Sequence, residues 1–278
     1  MGKGIPKNQN GKAPVIEKQT RVSALVNGNY THAMVVMDYI TNLAIKKAKK
    51  SGIAIVGNYN TAESTGAIGF YVSKIAKEGL IGLAFSAAPF QTTAPYGSSE
   101  ARFCTNPIAY GIPTDNEPIV LDMTTSAMAY YGLIEAKTAG KQVAEGVGYD
   151  SQGNSTTDPA EIMSGALKTV AGHKGSGLAL LGQVLAGVLV GADSFNSDSD
   201  NAGNIVIAIN PNIFKPTEVF KKEMNEMVTT IKGSRKLPEM TEIKLPGERG
   251  NKVTKQVIES GEIEVEKNLL KALQEIVK

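Results

Sequence analysis

Residues 172–177 read Gly-His-Lys-Gly-Ser-Gly, and a long apolar run, Leu178–Val190, follows at once. The hexapeptide gathers a lysine, three glycines and one of the two histidines in the chain. A helix starting there would present unpaired N–H groups and partial positive charge, which attract anions. Glycine lets a ligand approach the backbone closely, and Lys174 adds a full charge. One reading is a contact for a phosphate or a dinucleotide. The other is a glycine-rich loop ahead of a core helix, with Lys174 in solvent. The stretch matches none of the standard phosphate-loop patterns, so both readings stand on these residues alone.

Other chemistry-bearing residues are sparse. Asp122 ends the apolar run Ile119–Leu121 and precedes a helical pattern over Thr125–Ala139, so a helix N-cap is its ordinary role. His32 sits at another helix start and is a candidate for acid–base work. Arg102 lies near the Thr105-Asn106-Pro107 turn and suits either a substrate carboxylate or a surface ion pair. Cys104 has no histidine beside it and reads as a small buried residue rather than a nucleophile. Two histidines and one cysteine cannot make a His/Cys zinc site without carboxylates, so no metal centre is expected. Lys46–Lys50 reads as a solvated helix end matched to the negative dipole pole.

The whole chain bounds these possibilities. It has 278 residues, 42% apolar and 20% charged, as in a soluble globular protein. A net charge of +2 and the lack of interleaved aromatic and basic residues disfavour nucleic acid. The single cysteine excludes an internal disulfide and suggests a reducing compartment, so a cytoplasmic protein is expected. The amino terminus carries Lys3, Lys7, Lys12 and Lys18 without an apolar core, so it is no signal peptide and reads as an irregular basic arm over 1–18. Leu178–Val190 is short for a membrane span and fits a buried helix better.

Strand-like and helix-like runs alternate along the remainder. Val22–Val26, Ile53–Val56, Ile81–Phe85, Ile119–Leu121 and Ile205–Ile209 read as strands. His32–Lys50, Gly66–Glu78, Thr125–Ala139 and Leu178–Val190 read as helices, as do the stripes Val219–Ile231 and Leu269–Val277. Asp193–Asn204 and Gly233–Lys255 read as surface segments. The pattern predicts an α/β fold with helices layered on a sheet. No G-x-G-x-x-G follows an early strand, so an ordinary Rossmann fingerprint is absent.

Several phrases in order carry a resemblance. They are Gly66-Ala-Ile-Gly-Phe-Tyr71, Glu78-Gly-Leu-Ile-Gly82, Ala94-Pro-Tyr-Gly97 and Thr105-Asn-Pro-Ile108. Val120-Leu-Asp-Met-Thr-Thr-Ser126, Thr156-Thr-Asp-Pro159, Gly172-His-Lys-Gly175 and Leu245-Pro-Gly-Glu248 complete the set. Together they resemble the type 2 malate/L-lactate dehydrogenase family, from about Val22 to the end. Its relatives include ureidoglycolate, sulfolactate and diketogulonate oxidoreductases. The resemblance implies a non-Rossmann α/β fold of the sulfolactate dehydrogenase type, with helices layered on a mixed sheet. It implies a homodimer using NAD or NADP to interconvert 2-hydroxy and 2-oxo acids. One α/β unit is then expected over 19–278, with its nucleotide-binding part around 72–210.

By the same resemblance, Ser86, Asp122, Met123, Thr124, His173, Lys174, Gly175, Pro246, Gly247 and Glu248 hold the cofactor. Departures from the pattern fall on the acid–base positions. The family's amino-terminal Ser-His-Gly segment and nearby arginine do not occur here; Ser64 stands where a second histidine is common, and Leu133 where a lysine is common. The expectation is an amino-terminally shortened chain with the cofactor cradle and impaired catalysis. The alternative is a non-enzymatic descendant that binds nucleotide or assembles without catalysis.

Overall fold

The computed structural model describes residues 11–62, 64–195 and 198–276. In chain order the strands are β1 (Val15–Gln19), β2 (Ser23–Asn27), β3 (Ile53–Thr61), β4 (Ile81–Ala87), β5 (Ile108–Ile112), β6 (Ile119–Met123), β7 (Gly148–Tyr149), β8 (Ser155–Thr156), β9 (Ala166–Leu167) and β10 (Ala202–Ile209). The helices are α1 (Ala33–Ser51), α2 (Gly69–Lys77), α3 (Tyr130–Thr138), α4 (Pro159–Ser164), α5 (His173–Ala186), α6 (Thr217–Lys232), α7 (Glu248–Ser260) and α8 (Lys267–Ile276). Seven strands form one mixed sheet in the order β1-β2-β3-β10-β4-β5-β6, in which only β2 and β3 run parallel. Three short strands form a second sheet, β8-β7-β9.

Helices α1 and α2 cover one face of the large sheet. The 3.6-residue spacing of Val36, Met37, Ile40, Ala44 and Ala48 turns one side of α1 inward, against Val26, Val56 and Val206. Each large aliphatic chain buried this way contributes about 1.5–3 kcal/mol. His32 caps α1, its Nδ1 accepting from the Met34 N–H at 3.2 Å. The helix stops at Gly52, whose φ of 85° suits glycine, and whose N–H returns to the Ala48 carbonyl. On the other face, α5 packs on β4 and β10. The small sheet, α3 and α4 enclose a separate apolar cluster of Leu133, Val147, Ile162 and Leu167.

Several expectations change. The irregular arm is shorter than 18 residues, because Val15–Gln19 is an edge strand paired antiparallel with β2; residues 1–10 lie outside the described set. The helix expected over Thr125–Ala139 starts only at Tyr130, because Thr124–Ser126 form a hydroxyl-bonded turn first. The surface segment 233–255 contains the start of α7, which buries no side chain in this chain. The largest change concerns Leu178–Val190. Its small and amide residues Ala179, Gly182, Gln183 and Ala186 face the sheet, while Leu178, Leu180, Leu181, Val184, Val188 and Leu189 are exposed. It is not a buried helix in this chain. The stretch His173–Val190 has the length and hydropathy of a membrane span, but one side of it is packed on the sheet.

Candidate active site

Strands β2, β3, β4 and β6 all finish at one edge of the large sheet, where β5 and β10 begin. A cleft of about 970 Å³ opens there. Such edges are where α/β folds gather ligands, because loops and helix starts converge on them. Thr61, Ser86 and Asn204 come to the cleft from the strand ends, and Asp122, Met123 and Thr124 from the end of β6. The lead-in to α2 brings Ser64, Thr65 and Gly66. Tyr130, Tyr131 and Phe90 form an aromatic side, with Phe90 edge-on to Tyr130 at 5.4 Å.

Asp122 does cap a helix, but not the one that follows it. Its Oδ2 accepts from the Gly69 N–H at 2.7 Å, at the first turn of α2. A carboxylate there meets both an unpaired N–H and the positive end of the dipole. One side of Asp122 is open to the cleft, yet protein crowds its carboxyl group. That crowding raises its pKa, and the Gly69 hydrogen bond partly opposes the rise. Thr124 donates from Oγ1 to the Thr105 carbonyl at 2.8 Å, and Thr125 donates to the Thr105 and Asn106 carbonyls. Ser86 is half-buried at the end of β4. The Ser64 Oγ accepts from the Gly66 N–H at 3.0 Å.

The glycine-rich hexapeptide is a helix start. Ala171 and Gly172 both take left-handed φ, 50° and 61°, and swing the chain into α5 at His173. Gly175 is required by a close approach: a Cβ there would lie 1.9 Å from the Val170 carbonyl oxygen. His173 and Lys174 are exposed, with the His173 ring edge-on to Tyr96 at 5.8 Å. This helix start is tied to the cleft turn, since the Val170 N–H donates to the Thr125 carbonyl and Ser126 bridges Thr169. His173, Lys174 and Gly175 nevertheless stand outside the cleft's lining residues. Pro246, Gly247 and Glu248 also lie outside them, half-buried beside Val120 on edge strand β6. Gly247 has φ 89°, and Glu248 pairs with Lys232, which holds its carboxyl below the usual range.

The profile of malate/L-lactate dehydrogenases matches residues 6–274. The chain belongs to the malate/L-lactate dehydrogenase family. It is 35% identical over 269 residues to a malate/(S)-sulfolactate dehydrogenase of Methanothermus fervidus, covering 94% of this chain and 77% of that protein. It is 33% identical over 247 residues to a Δ1-pyrroline-2-carboxylate/Δ1-piperideine-2-carboxylate reductase of Pseudomonas putida, covering 84% and 69%. The structure of sulfolactate dehydrogenase from Methanocaldococcus jannaschii superposes with a TM-score of 0.83 at 31% identity, covering 95% and 77% of the two chains. The mixed-sheet, non-Rossmann fold implied by the motifs is therefore the fold of this family member.

As a member of the malate/L-lactate dehydrogenase family, this chain departs from the motif pattern at definite places. Leu133 is fully buried in the small apolar cluster, where a lysine would be an unpaired charge. Arg102 is exposed and pairs with Glu100 at 2.5 Å, so the surface ion pair is the arrangement found. His32 is committed to capping α1 through Nδ1. Cys104 is half-buried in the cleft wall, and burial pushes its thiol up, away from a nucleophile's range. The Tyr71 hydroxyl donates to the Thr65 carbonyl, and burial pushes its pKa up to about 12. Among the described residues, the cleft lining holds Asp122 and Asp200 and no lysine, arginine or histidine. Motif reading missed Asn204, Tyr130 and Phe90. Only Asn204 left a trace, as an amide opening the apolar run Ile205–Ile209.

Proposed function

We propose that this protein binds NAD or NADP in the sheet-edge cleft and belongs functionally with enzymes that interconvert 2-hydroxy and 2-oxo acids. The observation that carries this reading is the convergence of Ser86, Asp122, Met123 and Thr124 on one cleft, together with the buried amide of Asn204. Hydroxyls, a carboxylate and an unpartnered amide suit the ribose and carboxamide groups of a dinucleotide, and the aromatic side suits a planar ring. The cofactor would supply or accept a hydride at its nicotinamide ring. The exposed side chains of His173 and Lys174, at a helix start tied to Thr125 through the Val170 N–H, suit its phosphates. Pro246, Gly247 and Glu248 would then shape an outer loop of the same site.

The substrate class follows the relatives. Their names speak of malate, sulfolactate and a cyclic imine carboxylate, all small acids with a reducible or oxidisable carbon beside the carboxylate. The described lining residues offer no cation to hold such a carboxylate and no ordinary proton donor of the His or Lys type. We therefore expect slow turnover by the 278-residue chain itself, and the nucleotide-binding, non-catalytic alternative rests on the same observation. The exposed leucine and valine face of α5 favours a homodimer, since an uncovered apolar surface of this kind costs about 25 cal/mol per Å².

Calorimetric titration with NADH and with NADPH tests the cofactor reading and separates the two cofactors. Binding of at least one is expected; silence at millimolar concentration removes the reading. Hydride-transfer assays over a panel of 2-oxo acids then separate the enzyme from the non-catalytic alternative.

A further inference from the structure

Asn58 of β3, Asn204 of β10 and Ser86 of β4 are direct neighbours across three adjacent strands: Asn204 is the Cα partner of Asn58 on one side and of Ser86 on the other. Residues paired in this way project from the same face, with Cβ atoms about 5 Å apart. The next row inward on that face is Val56, Val206 and Ala84, each 0% exposed. The face is therefore apolar core until its last row, which turns to two amides and a hydroxyl where the cleft begins. Asn58 and Asn204 are buried to 0% and 1% exposure. Neither the nitrogen nor the oxygen of either amide has a hydrogen-bond partner among the described residues.

Leaving buried amide groups unpaired is expensive, and native proteins rarely do it without a use for them. Valine fills the row above, so apolar residues would serve the fold at these positions. Asn204 and Ser86 both line the cleft, and Asn58 stands behind Asn204. Side by side, the two amides offer N–H donors and carbonyl acceptors together, and the hydroxyl serves as either. A carboxylate or phosphate only accepts, and would leave the amide oxygens unpaired. A primary carboxamide is planar, donates and accepts, and satisfies both.

We propose that Asn204, backed by Asn58 and flanked by Ser86, receives the carboxamide of the nicotinamide ring and so fixes which way the ring faces. This rests on the cofactor reading above. An amide-bearing 2-oxo acid is the other source of the same chemistry, and the test separates the two.

The experiment titrates the full chain with NADH, NADPH and ADP-ribose, which lacks the nicotinamide, and compares wild type with Asn204→Leu. Expected is about a tenfold loss of reduced-cofactor affinity, the scale of one or two neutral hydrogen bonds, with ADP-ribose affinity unchanged. The melting temperature is expected to hold or rise, because an unpaired buried amide has been removed. Equal loss of NADH and ADP-ribose binding, or unchanged NADH binding, overturns the proposal. A loss confined to oxamate binding in the presence of NADH overturns it too, and assigns the row to substrate. Should Asn204→Leu not fold, wild type alone decides: the reduced 3-acetylpyridine analogue, which has lost the carboxamide N–H donors, is expected to bind about tenfold more weakly than NADH, and equal binding overturns the proposal. If wild type binds neither NADH nor NADPH, the cofactor reading falls with it; binding without these discriminations defeats only the proposal.

Discussion

Replacing Asp122 probes a single contact that joins the sheet, a helix start and the cleft. Its Oδ2 lies 2.7 Å from the Gly69 nitrogen at the first turn of α2. A hydrogen bond to a charged acceptor contributes about 1.5–3 kcal/mol, and loss of a helix cap about 0.5–2 kcal/mol. Two effects reduce that figure. Water in the open cleft screens the charge, and the crowding that raises the carboxyl's pKa is relieved when the group is removed. Asp122→Ala is therefore expected to cost about 1 kcal/mol, or about 2–4 °C in melting temperature for a chain of this size. Asp122→Asn keeps an oxygen for the Gly69 N–H and should cost about half as much or less. The sign of the pH dependence also follows. The folded pKa is raised, so the native state holds this proton more tightly than the unfolded chain. Wild type should lose stability relative to Asp122→Asn as pH rises from about 4 through the raised folded value, and lose nothing further above it. Scanning calorimetry of the three proteins between pH 4 and pH 8 measures all of this. Equal melting temperatures for wild type and Asp122→Ala would refute the capping argument, and an opposite pH trend would refute the crowding argument.

Gly175→Ala should destabilise the fold by about 3 kcal/mol or more in urea unfolding, because the new Cβ meets the Val170 backbone oxygen and neither chain segment can yield cheaply. A near-neutral result would mean that the start of α5 is free to shift. Lys174→Ala should weaken reduced-cofactor binding by about five- to tenfold with no change in melting temperature, since its side chain is exposed; unchanged affinity would detach the α5 start from the phosphates. Leu181→Asp, in the middle of the exposed α5 face, should convert a dimer to a monomer by light scattering at micromolar concentration. A wild-type monomer, or a Leu181→Asp dimer, would rule that face out as the interface.

Some features were legible in the residues alone. The 3.6-residue spacing from Val36 to Ala44 located α1, the short β-branched runs located five of the strands, and Gly172–Gly175 announced the start of α5. These are local signals, fixed by backbone sterics and by which side of an element must be apolar. The ordered motifs likewise identified the family, because each motif is a contiguous phrase, and the β6-end residues within them line the cleft. Other features exist only in three dimensions. Asp122 looks like a cap for the helix after it, but the sheet delivers it to α2, which precedes it by more than forty residues. Leu178–Val190 looks like core, but its small residues are the ones that approach the sheet, because close packing on β4 and β10 leaves room for glycine and alanine and turns the leucines outward. The row Asn58–Asn204–Ser86 joins residues far apart in the chain through strand register, and nothing in a one-dimensional pattern states which strands are neighbours.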